Sequence, residues 1–140
     1  MARFLIAAVI LVFAVMPAKA ITYTKSIFSK KILTITVDEK GNVFIGKGTL
    51  TSAELSDELQ KRLWKSYMGT DKMYDAIHLE FNGEVSMNIK GSVKNAIHEG
   101  QKKALTDLCL QKHKKLFEHL SVRQQRKIMK QFPVLFQQEY

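Results

Sequence analysis

The sequence predicts an α+β domain, a small mixed sheet in β-β-α-β-α order packed on two main helices, with an extra C-terminal helix and a short terminal strand. Three observations carry this. Ile32 to Val37 is β-branched and alternates, with Leu33, Ile35 and Val37 on one face and Thr34 and Thr36 on the other. Leu55, Leu59 and Leu63 recur every fourth residue and form one helical stripe. Ile77, Leu79 and Phe81 alternate with His78 and Glu80 in a second half-buried strand.

Taken in order, residues 1–20 read as an export segment. Arg3 is a short positive region, Phe4 to Met16 is an unbroken apolar run, and Pro17-Ala18-Lys19-Ala20 ends in a small-x-small cleavage pattern. The run is shorter than the ~20 residues of a spanning helix, which favours a removed signal peptide over a retained signal anchor; the anchor is the alternative. Residues 21–30 read as a linker, with Lys25 and Lys30 among small polar residues and Tyr23, Ile27 and Phe28 interspersed. The domain is residues 31–140, one unit by length, and the 46% hydrophobic content of the chain suits a globular class.

After the first strand, Asp38-Glu39-Lys40-Gly41-Asn42 supplies a polar reversal into Val43-Phe44-Ile45, a hairpin. Gly46 and Gly48 mark the strand exit. Thr51-Ser52-Ala53-Glu54 has the form of a capping box that opens the leucine-striped helix, and Gly69 is expected to close it. Beyond the strand ending at Phe81, Asn82-Gly83 is a turn signal, and Glu84 to Ile89 fits either a short returning strand or the loop into the next helix. That helix is long. Its seam of Ile89, Val93, Ala96, Ile97, Ala104, Leu105, Leu108 and Cys109 survives Gly100, which costs ~1 kcal/mol relative to alanine, and Leu116 and Leu120 would extend it to Ser121. Ser121-Val122-Arg123-Gln124 is a second capping-box form. The helix Val122 to Gln131 has Val122, Ile128 and Met129 but little else apolar, as a surface helix does, and Phe132-Pro133 stops it. Val134-Leu135-Phe136 reads as a final short strand or a docked tail.

Charge and cysteine narrow the function. The net charge is +9, and the processed chain, without Arg3 and Lys19, carries +7. The excess reads as spread rather than blocked, with Lys102, Lys103, Lys112, Lys114, Lys115, Arg123, Arg126 and Lys127 punctuating helical segments as solvated faces do. For an exported chain, anionic surfaces such as lipid headgroups or cell-wall polymer are better partners than nucleic acid. Cys109 is single, so no internal disulfide forms, and its neighbours Ala104, Leu105 and Leu108 make it a buried small hydrophobe.

Chemistry finds little foothold. His113 and His119 are six apart, missing the helical register of paired ligands, while His78 beside Glu80 and His98 beside Glu99 read as solvated. There is no Gly-x-Ser-x-Gly elbow, and Gly41 to Gly48 lacks the Gly-Lys-Ser/Thr ending of a phosphate loop. No catalytic, cofactor or metal residue is therefore assigned, and a small secreted enzyme is the weaker reading. The candidate partner contacts are Trp64 and Tyr67, an aromatic pair beside Lys61, Arg62 and Lys65, and Val134, Leu135 and Phe136, whose strand would leave an edge open to a second copy.

Thr34 to Gly46, followed by Leu50-Thr51-Ser52-Ala53-Glu54-Leu55 and Leu59, resembles the periplasmic domain of ExbD/TolR-type biopolymer transport proteins. Those domains open with an "I-x-V-x-x-x-G" strand, a short second strand and a helix entered through Thr/Ser-x-x-Glu-Leu. Ile77 to Phe81 and Val85 to Ile97 are similar in placement to the family's later strand and helix, and Leu120-Ser121, Gln124-Gln125 and Phe132-Pro133 resemble the extension of some members. The family's transmembrane aspartate has no counterpart, since no acidic residue precedes Asp38. The resemblance implies a periplasmic binding or adaptor module accessory to proton-motive-force-linked envelope transport or envelope integrity. Its implied partners are envelope or inner-membrane transport proteins, a like domain in a homodimer, or peptidoglycan. An inner-membrane-anchored transport subunit is the alternative, differing in whether residues 1–20 remain.

Overall fold

A computed structural model describes residues 29–140. The expected signal and most of the expected linker lie outside the described residues. The element order is β1 (Ile32–Val37), β2 (Val43–Ile45), β3 (Gly48–Leu50), α1 (Ser52–Thr70), β4 (Ala76–Phe81), α2 (Met87–His113) and α3 (Val122–Gln131), with 3-10 turns at Phe117–His119 and Pro133–Phe136. The class is α+β, with a four-stranded mixed sheet ordered β3-β2-β1-β4. β1 pairs antiparallel with β2 and parallel with β4, placing Ile35 opposite Leu79 and Val37 opposite Phe81.

Local chemistry fixes the hairpin. The Asp38 carboxylate accepts from the Lys40 and Asn42 amides at 2.9 Å and from the Asn42 side chain at 2.8 Å, while Gly41 takes φ 84°. Past it the structure adds β3. Gly46 turns at φ 61°, and Gly48 to Leu50 runs back along β2. Three residues with one glycine carry no alternation, so the third strand has no sequence signature.

One sheet face is covered and the other is open. Leu33, Ile35, Val37, Val43, Ile45, Ile77 and Leu79 are buried beneath Leu55, Leu59 and Leu63 of α1 and Val93, Ile97, Ala104 and Leu108 of α2. Thr34, Phe44, Thr49, His78 and Glu80 look outward. Gly100 does more than interrupt a helix. A Cβ on it would lie 2.8 Å from the Ser56 carbonyl oxygen and 3.0 Å from Leu59 Cβ, so α1 and α2 cross where only glycine fits.

Several boundaries differ from expectation. α1 continues through Gly69 and ends when Asp71 turns left-handed at φ 54°, its amide bonded to the Tyr67 carbonyl. The Glu84 to Ile89 segment takes the loop option. Asn82-Gly83 leads to no returning strand, and Ser86 caps α2, its hydroxyl accepting from the Ile89 amide at 3.4 Å. α2 stops short of Leu116, because Lys114 adopts φ 56° and breaks the helical ladder. The terminal strand is absent: Pro133–Phe136 is a 3-10 turn. Proline supplies the φ of its first residue, and burial of Val134 and Leu135 against the helices wins over an extended edge.

Candidate contact surface

The surface with a distinct character is the C-terminal end. After Lys114 the chain makes its 3-10 turn, buries Leu120, and launches α3 from a reciprocal box: Gln124 Oε1 accepts from the Ser121 amide at 3.0 Å, and the Gln124 amide donates to Ser121 Oγ at 3.4 Å. Gln125 Nε2 donates to the Phe117 carbonyl at 3.0 Å, fixing the helix to the turn before it. α3 puts Ile128 into the core and Phe132 follows it there. With 100° between residues, the side opposite Ile128 carries Arg126, Lys130 and Arg123 along its middle, Lys127 on one flank, and Val122 and Met129 on the other.

Charge balance, more than ion pairing, separates this end from the rest. Arg62 meets Glu58 at 2.7 Å, Lys103 meets Asp57 at 2.6 Å and Lys102 meets Glu99 at 3.8 Å, all before residue 112. Among the described residues no ion pair involves Lys112, Lys114, Lys115, Arg123, Arg126, Lys127 or Lys130. Residues 29–111 hold twelve Lys/Arg against eleven Asp/Glu, whereas 112–140 hold seven against Glu118 and Glu139. The positive excess of the described domain is thus concentrated, correcting the expectation of an evenly spread charge.

Trp64 and Tyr67 have their ring centroids 5.6 Å apart, and Tyr67 meets Phe132 edge-on at 5.6 Å. Lys112 Nζ stands 5.6 Å from the Tyr67 ring centre and 5.4 Å from that of Phe132. The pair is half-buried and ties α1 to the end of α3. Trp64 also borders a shallow groove of about 550 Å³ with Asp107, Leu110, Gln111 and Lys114. The other expected contacts are placed differently. Val134 and Leu135 are buried, and Phe136 is half-buried with its ring 5.4 Å from that of Phe117, so this segment offers no strand edge for a second copy.

The sheet has two edge strands, β3 and β4, and the tail partly covers the β4 edge. Gln137 Oε1 accepts from the Ile77 amide at 2.8 Å and Gln137 Nε2 donates to the Ile77 carbonyl at 2.7 Å, as a peptide group of a fifth strand would. Buried Gln101 holds the tail, donating to the Val134 carbonyl at 2.7 Å and accepting from the Tyr140 hydroxyl at 2.8 Å. Neither glutamine was marked by the sequence, because a lone glutamine reads as solvent-facing until its partners, thirty or more residues away, are placed.

His78 Nε2 lies 3.2 Å from Glu80 on the open sheet face, both exposed. The Lys103 hydrogen bond, and then its charge, holds the Asp57 carboxyl below its ordinary range. Burial pushes the Cys109 thiol up, and it pushes the Tyr140 phenol up against the opposing Gln101 hydrogen bond. Among the described residues no group of three His, Cys, Asp or Glu is placed to hold a metal ion, and no helix is long and apolar enough to cross a membrane.

No family model matches the chain, and neither a curated protein nor a solved structure matches it.

Proposed function

We propose that the chain is an exported periplasmic binding module, an adaptor accessory to envelope transport or envelope integrity in the manner of the ExbD/TolR periplasmic domain it resembles. It meets acidic partners through the basic C-terminal end. The observation that carries this is the set of seven cations on α2's last turn, the residues just after it, and α3, none of them in an ion pair among the described residues. Charges left in water avoid desolvation and attract an opposite surface over about 10 Å at 0.1 M salt, so they speed encounter without specifying a fold. The half-buried Trp64 and Tyr67, next to Lys112, add an aromatic element at the same end of α1. The run Phe4 to Met16 supports a second reading, a subunit held at the inner membrane by residues 1–20.

Crosslinking in the native envelope, with identification of captured neighbours, tests the adaptor role. An inner-membrane or cell-wall component recovered at low salt and lost at high salt is the expected result, and recovery of neither overturns it. Intact mass separates the two readings: a chain beginning at Ile21 is the soluble module, one retaining Met1 the anchored subunit.

A further inference from the structure

We infer that α3 is a docking helix for a bilayer containing anionic phospholipid. This rests on the reading of the basic end as the contact surface and names what that surface touches. The helix holds Arg123, Arg126, Lys127 and Lys130 and no acidic residue in its ten positions. Charge alone would suit any polyanion. The apolar side chains decide between them. Val122 is 62% exposed and Met129 47%, and no packing inside the domain uses their outer surface. Seven residues apart, they share one line of the helix, with Arg126 one turn from each.

A polyphosphate, a nucleic acid or an acidic glycan would take the cations and leave the Val122 methyls and the Met129 thioether in water. A lipid surface takes both. The guanidinium and ammonium groups meet headgroup phosphates while their aliphatic stems lie along the interface, and the two apolar side chains enter the boundary between headgroups and acyl chains. The helix arrives preformed. The Ser121–Gln124 box closes its first turn, and Ile128 and Phe132 lock its back to the core, so docking orders only side chains. Each cation brought to an anionic surface contributes about a five-fold gain in partitioning.

The test places a polarity-sensitive fluorophore on the Val122→Cys variant of the full chain. Cys109 is buried and leaves the label to the exposed position. A label at this position reports on α3 itself, whatever residues 1–20 do in a vesicle. The expected result is a blue shift on vesicles of mixed phosphatidylcholine and phosphatidylglycerol. It should be absent on phosphatidylcholine alone and with soluble polyphosphate. Adding Arg126→Glu and Lys130→Glu, both changes at exposed sites, should weaken the vesicle response about 25-fold or more. No shift on the anionic vesicles, or the same shift on both kinds, overturns the bilayer assignment. Heparin chromatography of the same proteins separates this failure from that of the proposed function. If the unlabelled parent is retained and the double charge reversal is not, the basic contact surface stands without the lipid; if the parent is not retained, both fall.

Discussion

Residues 29–111 and 112–140 are built on opposite principles. The first part is nearly neutral, its twelve cations balanced in number by eleven carboxylates with three of them in ion pairs, and its core forms where a leucine stripe meets the inward face of a hairpin. The second part carries a net +5 in 29 residues, leaves its cations unpaired, and is held by Ile128, Phe132, Val134 and two glutamines. A charge kept in water needs no partner, whereas a buried glutamine must have all of its partners. The lesson is a division of labour: the sheet and α1–α2 supply rigidity, and the C-terminal end supplies a surface whose chemistry can change without disturbing the frame.

The largest effects should come from the frame. Leu59 is fully buried between α2 and the sheet, and Leu59→Ala should cost about 3 kcal/mol in urea unfolding, lowering both parts together. Loss of the C-terminal end alone would break the comparison. Gln101→Leu comes next, at about 2 kcal/mol, because it strands the Val134 carbonyl and the Tyr140 hydroxyl. Its signature is regional: amide exchange should accelerate over residues 132–140 and stay slow in β1 and α1. Gly100→Ala is smaller and opposite in sign to helix propensity. The new methyl gains about 1 kcal/mol in helix formation but pushes against Ser56 and Leu59, so a net loss of about 1 kcal/mol is expected in thermal melting.

Charge changes should barely move stability. Arg126→Glu with Lys130→Glu should alter unfolding free energy by no more than about 0.5 kcal/mol while abolishing retention on an anionic matrix. The smallest effect sharpens the contrast from the frame side. Lys103 holds the folded carboxyl of Asp57 below its ordinary value of 3.8, so the stabilisation is complete at neutral pH and lost as pH falls below that value through the folded pKa. The Asp57→Asn variant should therefore show a shallower acid limb in its stability–pH profile. No counterpart is expected on replacing Arg123, which has no carboxylate partner among the described residues.

What the sequence determined by itself was whatever depends on periodicity over short range. The alternation in β1 and β4, the leucines of α1, the turn chemistry from Asp38 to Asn42, the outward His78 and Glu80, and the burial of Cys109 were all legible, because strand and helix repeats and turn hydrogen bonds span only a few residues. Tertiary structure alone decided the rest. β3 exists because β2 is there to pair with it; Val134 and Leu135 turn inward because α2 and α3 leave them a place; Gln137 caps the β4 edge at Ile77 across sixty residues of chain. The concentration of cations on one end is written in the order of residues, yet only the pairing of Lys103 with Asp57 and the burial of one side of α3 show which charges stay available for contact. Each of these outcomes turns on a partner distant in sequence, and local pattern holds no record of where such a partner will lie.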